Sequence, residues 1–537
     1  MDIVSAYPFL IAGIACLALA IRVAVRRSCP EAIGPDTFLH LHMAGEIRSS
    51  GHIPEHMGRT EYSTAYTYPM GYHWLLARVP ARLVRPVEAA TGALCDMAQV
   101  LWFGIVARVL FEGWGHDPQS AALAGLATAC LICFAPAFLS IHGGPRAYMG
   151  SARPLGQLLF AVFAGSTLLW QATDTGLWII PAALAVALAS ITSKFSNQAV
   201  TFISVFACLF GEWHLLVAGL LGFATAAAVF NRHFFRTIRG QIGHTVFYVR
   251  HLQAPYLDRA LDTGPGHGAR MRTAVASARA YGMRYLVDWL FSDPNLAHKL
   301  VVLHFTGLAG IALLVAGTVE DAPVPDIVWS LAAIFLASCI AAAATQTRRF
   351  RYLGESYRYV EHTVGLQAML VAGLLIDTHP LGLGAVLGIS AFLGVMALFQ
   401  AARLLRDQFT PLLDQWADLR AALEKVDTSD TLIHPLSGWF WPVLCQTSEL
   451  RLAFYSINCD IDAFGVSRWN DLYGNFPRPG RPFAELHGLH GITHVVGRET
   501  DFERYAEETG DRSFVDGSRT PVSHVGAVMV YDIQTQG

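Results

Sequence analysis

PLGLGAVLGISAFLGVMALFQAA, residues 380–402, contains no Lys, Arg, His, Asp or Glu. A helix needs about 20 mostly apolar residues to cross a bilayer, and this stretch is long enough to do so. It also marks a change in the chain. Downstream, TPLLDQWADLRAALEKV (410–426) carries apolar residues at helical spacing. Strand-like runs follow: RLAFYSIN (451–458), GITHVVGR (491–498) and GAVMVYDI (526–533). Between the last two, DFERYAEETG reads as a helix ending at Gly510. Helices mixed with short strands predict a small soluble α/β domain over 403–537. No glycine fingerprint follows any of these strands, so nucleotide binding there has no support.

Upstream, residues 1–402 repeat the apolar pattern. Stretches of the same kind occupy 3–25, 89–111, 119–141, 154–171, 176–192, 198–211, 214–230, 299–319, 325–345 and 362–376. The expected fold is therefore a multi-pass α-helical membrane protein of about eleven transmembrane helices with the α/β domain at its C-terminus. Composition agrees. The 537 residues are 53% hydrophobic and 15% charged, against about a quarter charged in soluble domains. The net charge of −3 gives no sign of a nucleic-acid partner. The first apolar run lacks a basic leader and a small-residue cleavage site, and reads as a retained helix. Cys130 and Cys133 lie in an apolar helix without histidines and read as buried small residues. Cys445 and Cys459 share the tail and can pair in an oxidising compartment.

The connections fall into two kinds. EGWGHDPQS, QATDTG, GEWH, EDAPVPD and DTHP are short. Residues 26–88, 142–153, 192–198, 231–298 and 346–361 are richer in polar and charged side chains. Irregular backbone cannot sit in lipid, so helices alternate direction and every rich connection falls on one face. An active site built at one membrane surface requires that grouping.

The first large loop, 26–88, is the most informative. GPDTFLHLHMAGEIRSSGHIP (34–54) reads as a short helix opened by Pro35 and Asp36 and stopped by Gly51. Asp36 and His40 share a face at i,i+4, and so do His42 and Glu46. A carboxylate and an imidazole at that spacing can ligate a divalent cation, or serve as acid and base. Spacing alone equally fits a helix-starting acid beside interfacial histidines. The loop continues as RTEYSTAYTYPMGYHWLLA (59–77), containing His73.

An acid after the first span, a short helix, Ile-Pro, then an aromatic Tyr-Pro-x-Gly-x-His stretch resembles the first loop of the GT-C superfamily of membrane glycosyltransferases. Protein mannosyltransferases, aminoarabinose transferases and the oligosaccharyltransferase catalytic subunit belong to it. The resemblance covers the overall layout and, as a motif, residues 34–77. It implies a lipid-phosphate sugar as donor and Asp36 as catalytic base or metal-organising acid. With His40, Asp36 would then hold Mg or Mn. The second rich loop, HGGPRAYMGSARPLG (142–156), contains no acid, whereas some family members pair acids there. A metal-independent mechanism therefore stays open.

Other residues of the rich face fit that chemistry. Arg146 and Arg153 can clamp a donor phosphate, or anchor to lipid headgroups. Lys194 lies in SITSKFSNQAV inside an apolar region, where a buried charge is a functional signal unless a true loop brings it to the surface. TQTRRFRYLGESYRYVEHT (345–363) places Glu355, Arg358 and Tyr359 on about one helical turn. This stretch resembles the Arg-Tyr loop of several membrane glycosyltransferases, which implies contact with donor phosphate or acceptor. A basic juxtamembrane anchor is the other reading. His40, Glu46, His73, Glu355 and Tyr359 stand second to Asp36, Arg146, Arg153, Lys194 and Arg358. The loop 231–298, with GPGHGARMR at its centre, reads as interfacial helices around a Gly-rich break.

Charge bias and resemblance disagree on orientation. Basic residues favour cytoplasmic loops, and the short loops contain none. The resemblance places the rich face outside, on a bacterial inner membrane. The expected function is sugar transfer from a polyprenyl-phosphate donor to a glycan, lipid or protein acceptor hydroxyl in envelope glycan or glycoconjugate assembly. The alternatives are a transporter or flippase for lipid-linked glycans and a non-catalytic subunit of a polysaccharide assembly complex. The first would call for inverted repeats and paired mid-membrane charges.

Overall fold

The computed structural model describes residues 2–28, 35–55, 67–141, 150–247, 249–250, 266–319, 326–353, 356–427, 431–438, 440, 443–444, 450–452, 465–475 and 478–534. Its helices, in chain order, are α1 (Ile3–Ser28), α2 (Pro35–Ser50), α3 (Gly71–Arg78), α4 (Val84–Gly113), α5 (Pro118–Cys133), α6 (Pro136–Leu139), α7 (Ala152–Thr173), α8 (Ile179–Thr192), α9 (Lys194–Ala207) and α10 (His214–Phe247). There follow α11 (His267–Tyr281), α12 (Arg284–Ser292), α13 (Leu296–Leu303), α14 (Phe305–Val319), α15 (Asp326–Gln346), α16 (Tyr357–Glu361), α17 (Val364–Leu375) and α18 (Pro380–Leu423). The tail adds α19 (Val466–Tyr473), α20 (Phe483–His490) and α21 (Glu499–Thr509).

Among the described residues, seven helices are long and apolar enough to cross a membrane: Ile3–Arg27, Ala81–Gly113, Pro118–Leu139, Ala152–Thr173, His214–Phe247, Asp326–Gln346 and Pro380–Leu423. Leu296–Leu303 and Phe305–Gly317 meet at an 84° bend and make an eighth if counted as one span. Gly176–Thr192, Lys194–Phe210 and Val364–Leu375 are apolar but shorter. All eleven apolar stretches of the sequence thus lie on these helices, and three of them fall short of spanning length. The stretch 214–230 ends where Asn231, at φ +35°, interrupts α10. This is an integral membrane protein with multiple apolar helices.

The chain forms two compact units. The first comprises Met1–Cys29, Pro86–Phe235 and Thr263–Leu404. Its core of Ala, Leu, Val and Phe side chains includes Phe103, Phe111, Phe160 and Phe163, all fully buried. Polar ties cross this apolar interior. Arg22 of α1 donates from Nε to Asp96 Oδ2 of α4 at 2.9 Å, and from Nη1 to the Cys133 carbonyl at 2.9 Å. It thereby satisfies a carbonyl at the C-terminal end of α5, which no intrahelical amide reaches. At the bend between α13 and α14, buried His304 meets Gln367 Nε2 at 3.3 Å, and Gln367 also donates to the Val360 carbonyl at 3.2 Å.

The second unit comprises Pro30–Arg85, Arg236–Asp262 and Leu405–Gly537. Its sheet has the order β2-β1-β3-β5-β4, from β1 (Leu432–Pro435), β2 (Arg451–Leu452), β3 (His494–Arg498), β4 (Ser523–Val525) and β5 (Val528–Asp532). β1 pairs in parallel with β2 and β3, and β5 runs antiparallel to β3 and β4. Ile433, Val495, Val496, Val528 and Val530 are buried. α2 belongs to the same core. Its Phe38 meets Trp416 of α18 edge-on at 5.0 Å between ring centroids, and both rings are buried. Cys445 and Cys459 lie outside the described residues.

Candidate functional site

The candidate residues gather in two constellations, one in each unit. The first begins where α7 and α9 start. Ser151 precedes α7 and its Oγ accepts the Arg153 amide at 3.3 Å. Ser193 precedes α9 and its Oγ accepts the Ser196 amide at 3.4 Å. Both are N-caps, a preferred use of serine. Gly156, in the second turn of α7, faces these residues so closely that a Cβ there would lie 2.2 Å from Ser196 Oγ and 2.6 Å from Ser193 Cβ. Glycine is what lets the two helix starts meet. Glu88 of α4 fixes the approach to α7 by accepting the Gly150 amide at 2.7 Å.

Helix N-termini carry a partial positive charge and favour acids. Neither α7 nor α9 has an acid in its first turn, and each has a cation there instead, Arg153 and Lys194. A third cation joins them from α16. The Arg358 guanidinium lies 4.2 Å from the centre of the Phe195 ring, and that of Arg153 lies 5.6 Å from the same ring. Lys194 is close enough to Arg358 for their charges to repel. The break between α8 and α9 leaves Lys194 half-buried. Three cations and two helix starts thus converge, an arrangement suited to a phosphate-sized anion.

Behind this cluster α16 is held by buried polar contacts. Gln157 Nε2 donates to Glu361 Oε2 at 3.0 Å. His362 Nδ1 lies 2.7 Å from the Arg358 carbonyl, and its Nε2 lies 3.3 Å from Ser196 Oγ. Tyr359 is buried against Phe202, with ring centroids 5.8 Å apart, and its hydroxyl donates to the Leu353 carbonyl at 3.4 Å. Burial raises the pKa of this phenol, so it stays protonated.

The second constellation lies in the first loop. α2 opens at Pro35 and ends at Ser50, and Gly51 follows at φ +74° with its amide donating to the Ile47 carbonyl at 2.9 Å. This is the left-handed stop that glycine permits. His40 Nδ1 of α2 lies 2.8 Å from His73 Nε2 of α3. The edges of Tyr72 and Tyr68 close around the pair. Burial, and then the neighbouring His40, push the His73 pKa well below the usual imidazole range. His73 is therefore neutral at physiological pH. His42 Nε2 comes to 4.0 Å from half-buried Glu46.

Of the residues singled out from sequence, Arg153, Lys194 and Arg358 come together, and so do His40 and His73. Glu46 pairs with His42 rather than with either. Asp36 occupies the first turn of α2. Its side chain, Arg146 and Glu355 lie outside the described residues. Among the described residues no group of three or more His, Cys, Asp or Glu is placed to hold a metal ion. Sequence reading missed Phe195, Gly156 and Glu88. Only the position of Phe195 beside Lys194, at the start of a helix, hinted at a role.

No protein-family model and no curated protein matches this sequence. Solved structures do. The oligosaccharyltransferase of Archaeoglobus fulgidus, in its apo form, is similar over 99% of this chain and 75% of its own, with a TM-score of 0.59 and 12% identity. The ArnT of Cupriavidus metallidurans bound to undecaprenyl phosphate is similar over 97% of this chain and 98% of its own, at 12% identity and a TM-score of 0.42. Its apo state gives the same coverage, 15% identity and a TM-score of 0.43. With the first of these likenesses running through nearly its whole length, the chain has the fold of that archaeal oligosaccharyltransferase.

Proposed function

We propose that this protein transfers a sugar from a polyprenyl-phosphate donor to an acceptor hydroxyl at the outer face of a bacterial inner membrane, in envelope glycan or glycoconjugate assembly. The observation that carries this reading is the convergence of Arg153, Lys194 and Arg358 on the joined starts of α7 and α9. That cluster has the charge and hydrogen-bonding capacity to take the donor phosphate. Arg146, from the connection leading into α7, is assigned to the same phosphate. The likeness to a membrane oligosaccharyltransferase supports the reading at the level of fold.

In the proposed reaction Asp36 takes the proton of the acceptor hydroxyl. The hydroxyl oxygen bonds to the anomeric carbon as the bond from that carbon to the phosphate oxygen breaks. The electron pair leaves with the phosphate, and the guanidinium groups stabilise the charge that develops. Holding two dilute reactants at one surface supplies much of the rate. His40 stands one helical turn from Asp36 in sequence, and its contact with His73 joins α2 to α3. Where Mg or Mn takes part, Asp36 and His40 would be its protein ligands.

The test uses purified protein, a radiolabelled polyprenyl-phosphate sugar and a membrane extract as the source of acceptors. Label moves into product with the native protein and is lost with Asp36→Asn, which stays folded. Unchanged transfer by Asp36→Asn removes Asp36 from the chemistry. Absence of transfer together with label crossing a sealed vesicle would favour lipid-linked glycan transport. A reporter fused to the C-terminus reads orientation, and a cytoplasmic signal would overturn the outward-facing site.

A further inference from the structure

We infer that Phe195 is a positioning residue that sets Arg153 and Arg358 as two prongs on a single phosphate; the inference rests on the donor-phosphate reading of this cluster. Two guanidinium groups repel each other and, in water, spread apart. Here both lie over one aromatic ring, at 4.2 and 5.6 Å from its centre. The negative face of a ring attracts a cation within about 6 Å, and the planar guanidinium group stacks on it. One ring therefore brings two like charges near each other.

The spacing suits one phosphoryl group. The two guanidinium carbons are at most about 10 Å apart, because both are tied to the same ring centre. Charge-assisted N–H to phosphate oxygen bonds of about 2.8 Å put each guanidinium carbon roughly 4 Å from phosphorus. Two such groups on one phosphate are then at most about 8 Å apart, a separation within what the shared ring allows. The ring itself is held by its place in the chain. Phe195 lies between Lys194 and Ser196, in the first turn of α9, where Gly156 and Ser193 press α7 and α9 together. The prongs come from different helices, Arg153 from α7 and Arg358 from α16. Phe195 on α9 is the side chain they share. Preorganisation of this kind lowers the cost of ordering flexible side chains at the moment of binding.

The experiment measures binding of undecaprenyl phosphate to the full-length protein in detergent, with undecaprenol, which lacks the phosphate, as the control. Phe195→Leu weakens undecaprenyl phosphate at least tenfold and leaves undecaprenol binding unchanged. Phe195→Tyr and Phe195→Trp, which keep a ring face, restore affinity to within about threefold. Arg153→Ala and Arg358→Ala each weaken binding in the native background and add little in the Phe195→Leu background, because the ring acts through them. That non-additivity is a readout that simple loss of packing does not produce. Phe195→Met, of similar volume, is read in place of Phe195→Leu if the latter does not purify as a folded protein. Native affinity in Phe195→Leu or Phe195→Met, with both arginine variants weakened, overturns the role of Phe195 and leaves the phosphate site standing. Native affinity in the arginine variants as well, or equal binding of undecaprenol, overturns the phosphate site itself.

Discussion

His40 and His73 meet nitrogen to nitrogen at 2.8 Å, and they join the two helices of the first large loop. Each ring gives or takes one proton in that contact, so a neutral pair is satisfied and a doubly protonated pair is not. His73→Ala leaves the buried His40 Nδ1 without this partner, which costs about 1–3 kcal/mol. Thermal unfolding reads the loss, and hydrogen exchange localises it to amides of residues 35–50 and 71–78. His73→Ala with native exchange in both helices would show that the contact does not hold them.

The edge-on contact of Phe38 with Trp416 ties the helix carrying Asp36 to the core of the α/β unit. Truncating a buried aromatic ring costs about 3–5 kcal/mol. Trp416→Ala accordingly destabilises the second unit and speeds hydrogen exchange in α2. Trp416→Phe keeps a ring and recovers most of the protection. If the proposed role of Asp36 holds, Trp416→Ala also lowers the turnover rate more than it weakens undecaprenyl phosphate.

The Arg22–Asp96 pair is buried within the helical unit. Removing one member takes the ion-pair bond from the other buried charge, at a cost of about 3–5 kcal/mol. Asp96→Ala and Arg22→Ala should each lower the unfolding midpoint sharply. The double variant Arg22→Leu with Asp96→Leu should be less damaging than either, because no charge remains to be desolvated. Additive losses in the double variant would contradict an ion-pair origin.

Acid should weaken the α/β unit through His434. Burial pulls this imidazole down to about 4 from its ordinary 6.5, against the opposing bond to the Leu472 carbonyl at 2.8 Å. Above pH 6.5 both folded and unfolded forms are neutral here, and the full stability is present. As pH falls from 6.5 towards 4, only the unfolded chain takes up the proton, and roughly 3 kcal/mol is lost across that window. His434→Gln should reduce the fall in unfolding midpoint between about pH 7.5 and pH 4.5. His73 and His494 are shifted in the same direction, so part of the acid sensitivity remains.

The helical architecture was legible because a span announces itself by length and lack of charge. Every apolar stretch landed on a helix, and the weak break in SITSKFSNQ is real, with α8 ending at Thr192 and α9 starting at Lys194. The short helix of the first loop was legible from Pro35 and Gly51 for the same local reason. Pairings over distance were not. Arg22 and Asp96 are 74 positions apart, and nothing in either neighbourhood names the other. Phe195 looked like one more apolar residue, since its use depends on arginines from two other helices. Gly156 looked like an ordinary helix glycine, since what excludes a side chain there is a different helix.

The partners of Arg22 also bear on how the chain is made. This arginine is among the first residues synthesised. The carboxylate that balances it comes 74 residues later, and the Cys133 carbonyl 111 residues later. Until then Arg22 has neither of these bonds, and a charged side chain at membrane depth is costly. The opening helix therefore gains this stabilisation only once α4 and α5 have been made. Birth order thus places the closing of this ion pair after the emergence of α4.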